Sequence, residues 1–174
     1  CGHLRISYNS CRNRHCPLCQ NLDKERWLDA RSKEMLPVPY FHLTFTLPEQ
    51  LRALSLRNQR ITYSLLFQSV AGALQELARD PKYLGAQIGI TAVMHTWSQT
   101  LMFHPHLHCI MPSGGLSFDG ERWVAGRADF FIPYKVLSRK FRGKYLYYLK
   151  AAYEDQQLVF PGQIEHLAEK RAFN

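Results

Sequence analysis

Phe103-His104-Pro105-His106-Leu107-His108-Cys109-Ile110 is the stretch on which the reading of this chain turns. Three of these residues are histidines, in a chain that has only 8. In an extended strand, residues i and i+2 share a face. His106 and His108 therefore project together, while Leu107 points the other way, into a core. Two adjacent imidazoles can chelate one divalent metal. Their flanks are apolar and strand-forming, which builds the pair into the fold and argues against a loose surface cluster. Upstream, residues 87–103 are rich in β-formers and free of proline. They are expected to pair with residues 106–111 as a β-hairpin broken at His104-Pro105, with Pro112-Ser113-Gly114-Gly115 as its exit turn. Gln99, on the partner strand, is a candidate third ligand by spacing. His95 lies on the same face by strand parity and is a candidate ligand or supporting partner. No acidic residue stands between Asp80 and Asp119. Such an imidazole-rich, neutral site suits manganese, cobalt or zinc as much as magnesium.

Outward from this hairpin, Tyr40-Phe41-His42-Leu43-Thr44-Phe45-Thr46-Leu47 alternates aromatic and β-branched residues and predicts a further strand. Pro48 to Leu56 reads as a short helix. A longer one follows from Asn58 or Gln59 to Arg79, with Ile61, Leu65, Leu66, Val70, Leu74 and Leu77 on one side and Asp80-Pro81 ending it. Trp123 to Ile132 predicts short strands or loops, and Pro133 to Asp155 a long helix started by proline. This order of elements indicates an α+β fold in which helices cover an antiparallel sheet. Before it, Asn21 to Leu36 predicts a helix capped by Asn21 or Asp23, with Trp27, Leu28 and Met35 as an apolar stripe. Pro37-Val38-Pro39 is a stiff linker, so residues 1–36 are expected to form one module and residues 37–174 the main domain.

The N-terminal module has a chemistry of its own. Of the 5 cysteines, Cys1, Cys11, Cys16 and Cys19 fall at its start. Cys16-Pro17-Leu18-Cys19 is a C-x-x-C knuckle whose spacing lets two thiolates grip one tetrahedral zinc. Cys11, His3 and His15 could supply further ligands, and Cys1 could be the last member of a second knuckle upstream. A segment with so few apolar residues cannot build a core, so a structural zinc is the expected staple. A thioredoxin-like redox pair would need a βαβ context that is missing. The chain carries 22 Lys plus Arg against 14 Asp plus Glu, a formal charge of +8, which points to a polyanionic partner. Arg12 and Arg14 crowd the module. Arg139, Lys140, Arg142 and Lys144 crowd the last long helix, interleaved with Phe141, Tyr145, Tyr147 and Tyr148, a mixture suited to phosphates and stacked bases. A helix with a basic solvated face and an aromatic core face would carry the same pattern. No run of about 18 apolar residues exists, so no membrane span is expected, and with no signal peptide a cytoplasmic location is.

With these residues in place the sequence resembles a known superfamily. His-hydrophobe-His on a central strand is similar to the HUH endonucleases, which include rolling-circle replication initiators, relaxases and single-strand transposases. Cys11-Arg12-Asn13-Arg14-His15-Cys16-Pro17-Leu18-Cys19-Gln20 resembles the zinc-binding region of the two-tyrosine rolling-circle transposases of bacterial insertion sequences. His42 to Pro48 resembles their first motif, and His95 to Leu101 through His104-Pro105-His106-Leu107-His108 to Leu116 their HUH motif with its flanks. Phe130-Phe131-Ile132-Pro133 and Leu137 to Lys144 continue the likeness, which covers essentially the whole chain.

The resemblance implies a palm-like HUH sheet and a catalytic divalent metal, magnesium or manganese, held by His106 and His108. It implies single-stranded DNA at insertion-sequence ends as the partner. A tyrosine would attack the scissile phosphate, leaving a 5′-phosphotyrosine and a free 3′-OH. Family nucleophiles come as Tyr-x-x-x-Tyr, and no two tyrosines here are four apart. Tyr145 and Tyr148 share a helical face and are the only candidates on that ground, although packing against the sheet explains them more cheaply. The chain, starting at Cys1 rather than Met, is accordingly expected to be a fragment cut through the zinc module and ending at Asn174 before the nucleophile, and not to cleave alone. Two rival readings are a non-catalytic, zinc-containing nucleic-acid-binding module, which leaves the histidine pair unemployed, and a small-substrate metal hydrolase, which would want a nearby carboxylate as general base.

Overall fold

The computed structural model describes Cys11, Cys16, residues 18–129 and residues 132–173. The chain falls into two compact units, Cys1–Pro37 and Val38–Asn174. In the first, α1 (Asn21–Lys33) has no buried residue and no side-chain cap. Gln20 occupies the cap position, so neither Asn21 nor Asp23 plays the expected role. The expected stripe is also bare, with Trp27, Leu28 and Met35 each at least 40% exposed. Local charge pairs support the helix instead: Lys33 reaches Asp29 at 2.6 Å and Arg31 reaches Glu34 at 2.7 Å. Asp23 in the first turn and Arg31 and Lys33 in the last also complement the helix dipole.

The second unit is built on a three-stranded antiparallel sheet in the order β1 (Tyr40–Thr46), β3 (Phe103–Pro112), β2 (Thr91–Trp97). The central strand has the predicted alternation. Leu107, Cys109 and Met111 are completely buried, and their cross-strand partners Phe45, Leu43 and Phe41 on β1 and Met94 and Ala92 on β2 point the same way. The α+β class and the antiparallel hairpin are as expected. The break at His104-Pro105 is not. Both residues lie inside β3, and the hairpin turns earlier, at Ser98–Met102, closed by Ser98 N–H donating to the Met102 carbonyl at 2.9 Å. Proline is tolerated in this central strand because the register shifts there. His95 pairs with His106 but Trp97 pairs with Phe103, so His104 and Pro105 together oppose one residue of β2. A bulge leaves a ladder donor unneeded at the extra residue.

Two long helices cover the buried face. α3 (Gln59–Arg79) buries Leu66, Val70, Ala73, Leu74 and Leu77 at helical spacing, and α4 (Tyr134–Glu154) buries Leu137, Tyr145, Leu149 and Ala152. The short α2 (Arg52–Arg57) precedes α3 and buries Leu54. Between these helices Asn58 ties distant chain together: its amide donates to the Val159 carbonyl at 2.9 Å, while its oxygen accepts from Val159 N–H at 2.8 Å. Gly114-Gly115 is not an exit turn but the start of β4 (Gly114–Leu116), which pairs with β5 (Trp123–Ala125). Close approach explains the glycines. A Cβ on Gly114, at φ 145°, would land 2.5 Å from the Trp123 ring, and one on Gly115 would run into the Gln87 carbonyl. The tail folds back through a 3₁₀ stretch (Gly162–Ala168) and α5 (Lys170–Phe173). No helix among the described residues is long and apolar enough to cross a membrane.

Candidate metal centre

The strand parity that buries Leu107 and Cys109 sends His106 and His108 to the opposite face, where His106 is buried at 8% exposure and His108 is half-buried. His95 enters from β2, directly across from His106. The nitrogens that His95, His106 and His108 can offer lie within 4.8 Å of one another. The ring centroids are 5.4 Å apart for His95–His106, 4.6 Å for His95–His108 and 4.9 Å for His106–His108. Donor atoms this close together can converge on one divalent ion, whose imidazole ligands sit at about 2.0–2.1 Å. Gln99 lies not on the partner strand but in the hairpin turn, since β2 ends at Trp97 and strand parity no longer applies two residues later. It lines the same cleft of about 490 Å³ as the three histidines, together with Trp97 and His104.

Two neighbours fix how the rings face the cleft. His106 Nδ1 lies 2.7 Å from the His104 carbonyl, an acceptor only, so Nδ1 carries the proton and Nε2 is left as the free lone pair. His108 Nδ1 lies 2.9 Å from Nε2 of His42, a residue of β1 whose alternation places it on this same face. The His108 imidazolium is disfavoured, first by burial and then by His95, His106 and His42, so its pKa is below the ordinary range. His104 is lowered likewise by burial, His106 and Arg52. Neutral imidazoles are the ligating form. Among the described residues, no carboxylate lines the cleft.

His42 and Arg52 are the site residues that sequence reasoning missed. A signal for His42 was present, since Phe41, Leu43 and Phe45 claim one face of its strand and leave His42, Thr44 and Thr46 to the other. Arg52 approaches only through the packing of α2 and carries no local signal.

The basic helix divides into two kinds of residue. Arg139 and Arg142 are exposed on α4. Lys140 and Lys144, by contrast, both bind Glu76 of α3, at 2.6 and 2.8 Å, and these contacts hold its carboxyl below the usual range. Tyr145 is a core residue at 3% exposure; burial pushes its phenol far up, against the pull of the Ser55 hydroxyl beside it. Tyr148 lies in the groove between α3 and α4, lined also by Glu76 and Tyr147. Neither tyrosine meets the histidines, so the structure does not support the pair as a nucleophile.

In the N-terminal unit, the thiols of Cys11, Cys16 and Cys19 lie within 4.8 Å of one another. Cys19 N–H donates to the Cys16 sulfur at 3.3 Å and Cys11 N–H to the Cys19 sulfur at 3.4 Å. The Cys19 amide first, then Cys11, lowers the Cys16 thiol to about 7, which favours the thiolate that a metal takes. The donor set fits zinc. Cys1, His3, Arg12, Arg14 and His15 lie outside the described residues. Cys109, in contrast, is buried in the sheet core and its thiol is raised to about 11 by burial alone.

Residues 1–47 match the family described as transposase zinc-binding domain, and residues 89–174 match the family described as putative transposase. Over 173 residues the chain is 49% identical to the putative transposase y4qJ of Sinorhizobium fredii, covering 99% of this chain and 44% of that one. The chain belongs to this transposase family. It is also 33% identical over 120 residues to the transposase for insertion sequence element IS801 of Pseudomonas savastanoi pv. phaseolicola, covering 69% of this chain and 28% of that one. The chain thus spans less than half the length of either relative. Among solved structures, the conjugative relaxase TrwC in complex with oriT DNA, in its metal-bound form, aligns at a TM-score of 0.50 and 19% identity, over 63% of this chain and 42% of that one. A TrwC complex with a 27-mer DNA comprising the recognition hairpin and the cleavage site aligns equally well, over 44% of its chain. These likenesses establish a relaxase-like fold. The transposase resemblance read from the cysteine and histidine motifs is borne out, as is the HUH-type sheet.

Proposed function

We propose that this transposase chain is the part of a DNA-transposing enzyme that holds a divalent metal and single-stranded DNA at the point of cleavage. The observation that carries the reading is the convergence of His95, His106 and His108 on the open face of a relaxase-like sheet, with Nδ1 of two of them already engaged. The residues fit a first-row divalent ion by chemistry and number, leaving positions for other ligands. A bound ion would act as a Lewis acid on the scissile phosphodiester. Manganese or magnesium is the proposed ion, and three imidazoles without a carboxylate favour manganese of the two. His95, His106 and His108 orient it. Arg52 adds positive charge beside His104, and the exposed Arg139 and Arg142 give the DNA backbone a second foothold.

A tyrosine hydroxyl then displaces the 3′ oxygen, giving a 5′-phosphotyrosine that conserves the phosphoester for rejoining. None of the tyrosines lining the described pockets shares the histidine cleft, and we assign the nucleophile to a residue beyond Asn174. The substrate would be single-stranded DNA at insertion-sequence ends. This assignment is supported by the transposase relatives and by the DNA named in the TrwC structures. A cytoplasmic, DNA-associated location accompanies it. The cysteine cluster would hold a structural zinc, with Cys1 as the fourth ligand. Arg12 and Arg14 are proposed to add backbone contacts nearby.

The test pairs metal analysis with adduct trapping. Zinc-loaded protein and its His106→Ala/His108→Ala variant are titrated with Mn²⁺, and both are incubated with a single-stranded hairpin oligonucleotide. One manganese site lost in the variant, zinc retained, and oligonucleotide binding without a covalent adduct are expected. An adduct that depends on a tyrosine within these 174 residues would overturn the assignment of the nucleophile. Unchanged manganese binding would overturn the metal centre and favour a non-catalytic binding module.

A further inference from the structure

Besides His104, the same face carries a further imidazole that takes no part in the ligand group. His42 sits diagonally from His108, since the register pairs His108 with Thr44 and His42 with Ile110. Even so, the two rings meet edge to edge, with centroids 5.1 Å apart and planes 12° apart, and Nε2 of His42 meets Nδ1 of His108 at 2.9 Å. His42 is exposed, so core packing does not account for this arrangement. A bond between two neutral imidazole nitrogens uses one proton, and its placement decides which nitrogen His108 offers to the cleft. With the proton on His42 Nε2, His108 Nδ1 is the acceptor and Nε2 is protonated and useless as a ligand. With the proton on His108 Nδ1, His42 Nε2 accepts and His108 Nε2 is the free lone pair. The second arrangement reproduces what the His104 carbonyl imposes on His106. Thr44 Oγ1, at 3.4 Å from the same nitrogen, is longer and can donate as readily as accept, so it selects neither tautomer.

We propose that His42 is a positioning residue that accepts the His108 Nδ1 proton and so fixes the tautomer and ring plane in which His108 presents Nε2 to a divalent metal. The inference rests on the metal-centre reading but is tested separately from it. An imidazole suits this place in a way a carboxylate would not. It orients the ligand while adding no negative charge to a cleft that has to receive a phosphodiester. Such outer partners of a ligating histidine change metal affinity by about 10–100-fold when removed.

Two measurements on the zinc-loaded 174-residue chain decide the matter. Long-range ¹H–¹⁵N spectra without added metal report the His108 tautomer in wild type, His42→Leu and His42→Gln. Titration calorimetry with Mn²⁺ reports affinity in the same three proteins. The expected result is an Nδ1-protonated His108 in wild type and in His42→Gln, whose side-chain carbonyl can accept the bond. In His42→Leu that preference is lost and Mn²⁺ affinity falls by about 10–100-fold. Wild-type tautomer in His42→Leu, or Mn²⁺ affinity equal to wild type, overturns the role of His42. If wild type itself binds no Mn²⁺ at the histidines, the metal-centre reading fails, while the tautomer comparison still decides whether His42 orients His108.

Discussion

Leu107→Ala and Ile110→Ala, substitutions three residues apart on β3, test the strand parity on which the metal centre depends. Leu107 is completely buried and pairs with Phe45 on one side and Met94 on the other. It is held between two hydrogen-bonded neighbours and roofed by helices, so the space left by its truncation cannot collapse easily. Leu→Ala changes at such sites cost about 2–5 kcal/mol, and the rigid surroundings place this one at about 3–4 kcal/mol. Ile110 faces the other way at 45% exposure, and truncating it should cost about 1 kcal/mol or less. Unfolding entropy of about 2.1 cal/mol/K per residue, over a unit of roughly 140 residues, gives about 0.3 kcal/mol per degree. Leu107→Ala should therefore lower Tm by about 10–13 °C and Ile110→Ala by about 3 °C or less. Differential scanning calorimetry in metal-free buffer reads both. Equal shifts, or a larger one for Ile110→Ala, would mean that β3 is turned over or slipped by one residue. His106 and His108 would then face the core, and the metal centre would be refuted along with the register.

Three further outcomes follow from the electrostatics. His104 and His108 have folded-state pKa values below the unfolded value of about 6.5, so the unfolded chain binds more protons; their contribution to stability is fully present above pH of about 6.5 and is lost as pH falls from there through the lowered folded values. The urea midpoint of metal-free protein should fall over that window, and His104→Gln should flatten the curve. Glu76→Gln releases Lys140 and Lys144 at a stability cost of about 1 kcal/mol or less, since the pairs are partly exposed. Single-stranded DNA binding should tighten and its log K against log[salt] slope should steepen by about 0.7 for each lysine that reaches a phosphate; an unchanged slope would remove these lysines from the DNA interface. Cys109 should stay unreactive towards a thiol reagent in native, metal-stripped protein while the thiols of Cys11, Cys16 and Cys19 react, and Cys16→Ser should lose bound zinc by elemental analysis without changing Mn²⁺ binding.

In the second unit, the faces set by a short period were legible in the sequence, whereas the stripe on α1 found nothing to cover it among the described residues. The alternation through Leu107, Cys109 and Met111 fixes which way His106 and His108 point, and the stripe through Leu66, Val70 and Leu74 fixes the buried side of α3. Both follow from covalent geometry and need no knowledge of the partner. Features set by a distant segment were not legible. His104-Pro105 looked like a break because a proline lacks the ladder donor, and only the facing strand reveals the bulge that makes the donor unnecessary. Glu76 gives no local hint that it will meet Lys140 and Lys144, 64 and 68 residues away, nor Asn58 that it will clamp Val159 at a separation of 101. The charge run on α4 accordingly overstated the free positive charge, since two of its four chosen cations are already paired.

That pairing bears on how the chain would hold DNA. A basic helix with all its cations free would bind any polyanion along its length, at an affinity set by salt alone. With Lys140 and Lys144 engaged by Glu76, the exposed cations left on α4 are Lys135, Arg139, Arg142 and Lys150, and of these the two guanidinium groups take phosphate oxygens with directional, paired bonds. At the sheet, an ion held by the histidines would add attraction for a phosphodiester beyond that of Arg52 beside His104. Positioning then depends on two different conditions: arginines that are always charged, and a cleft whose positive charge would rise when an ion is bound. Oligonucleotide affinity should rise with Mn²⁺ in the wild-type chain and lose that dependence in His106→Ala/His108→Ala, while Arg139→Ala/Arg142→Ala weakens binding by a similar factor with and without the ion. If the two effects proved inseparable, with the arginine variant abolishing the Mn²⁺ dependence as well, the helix and the histidine face would have to act as one site, and the division of labour argued from Glu76 would be wrong.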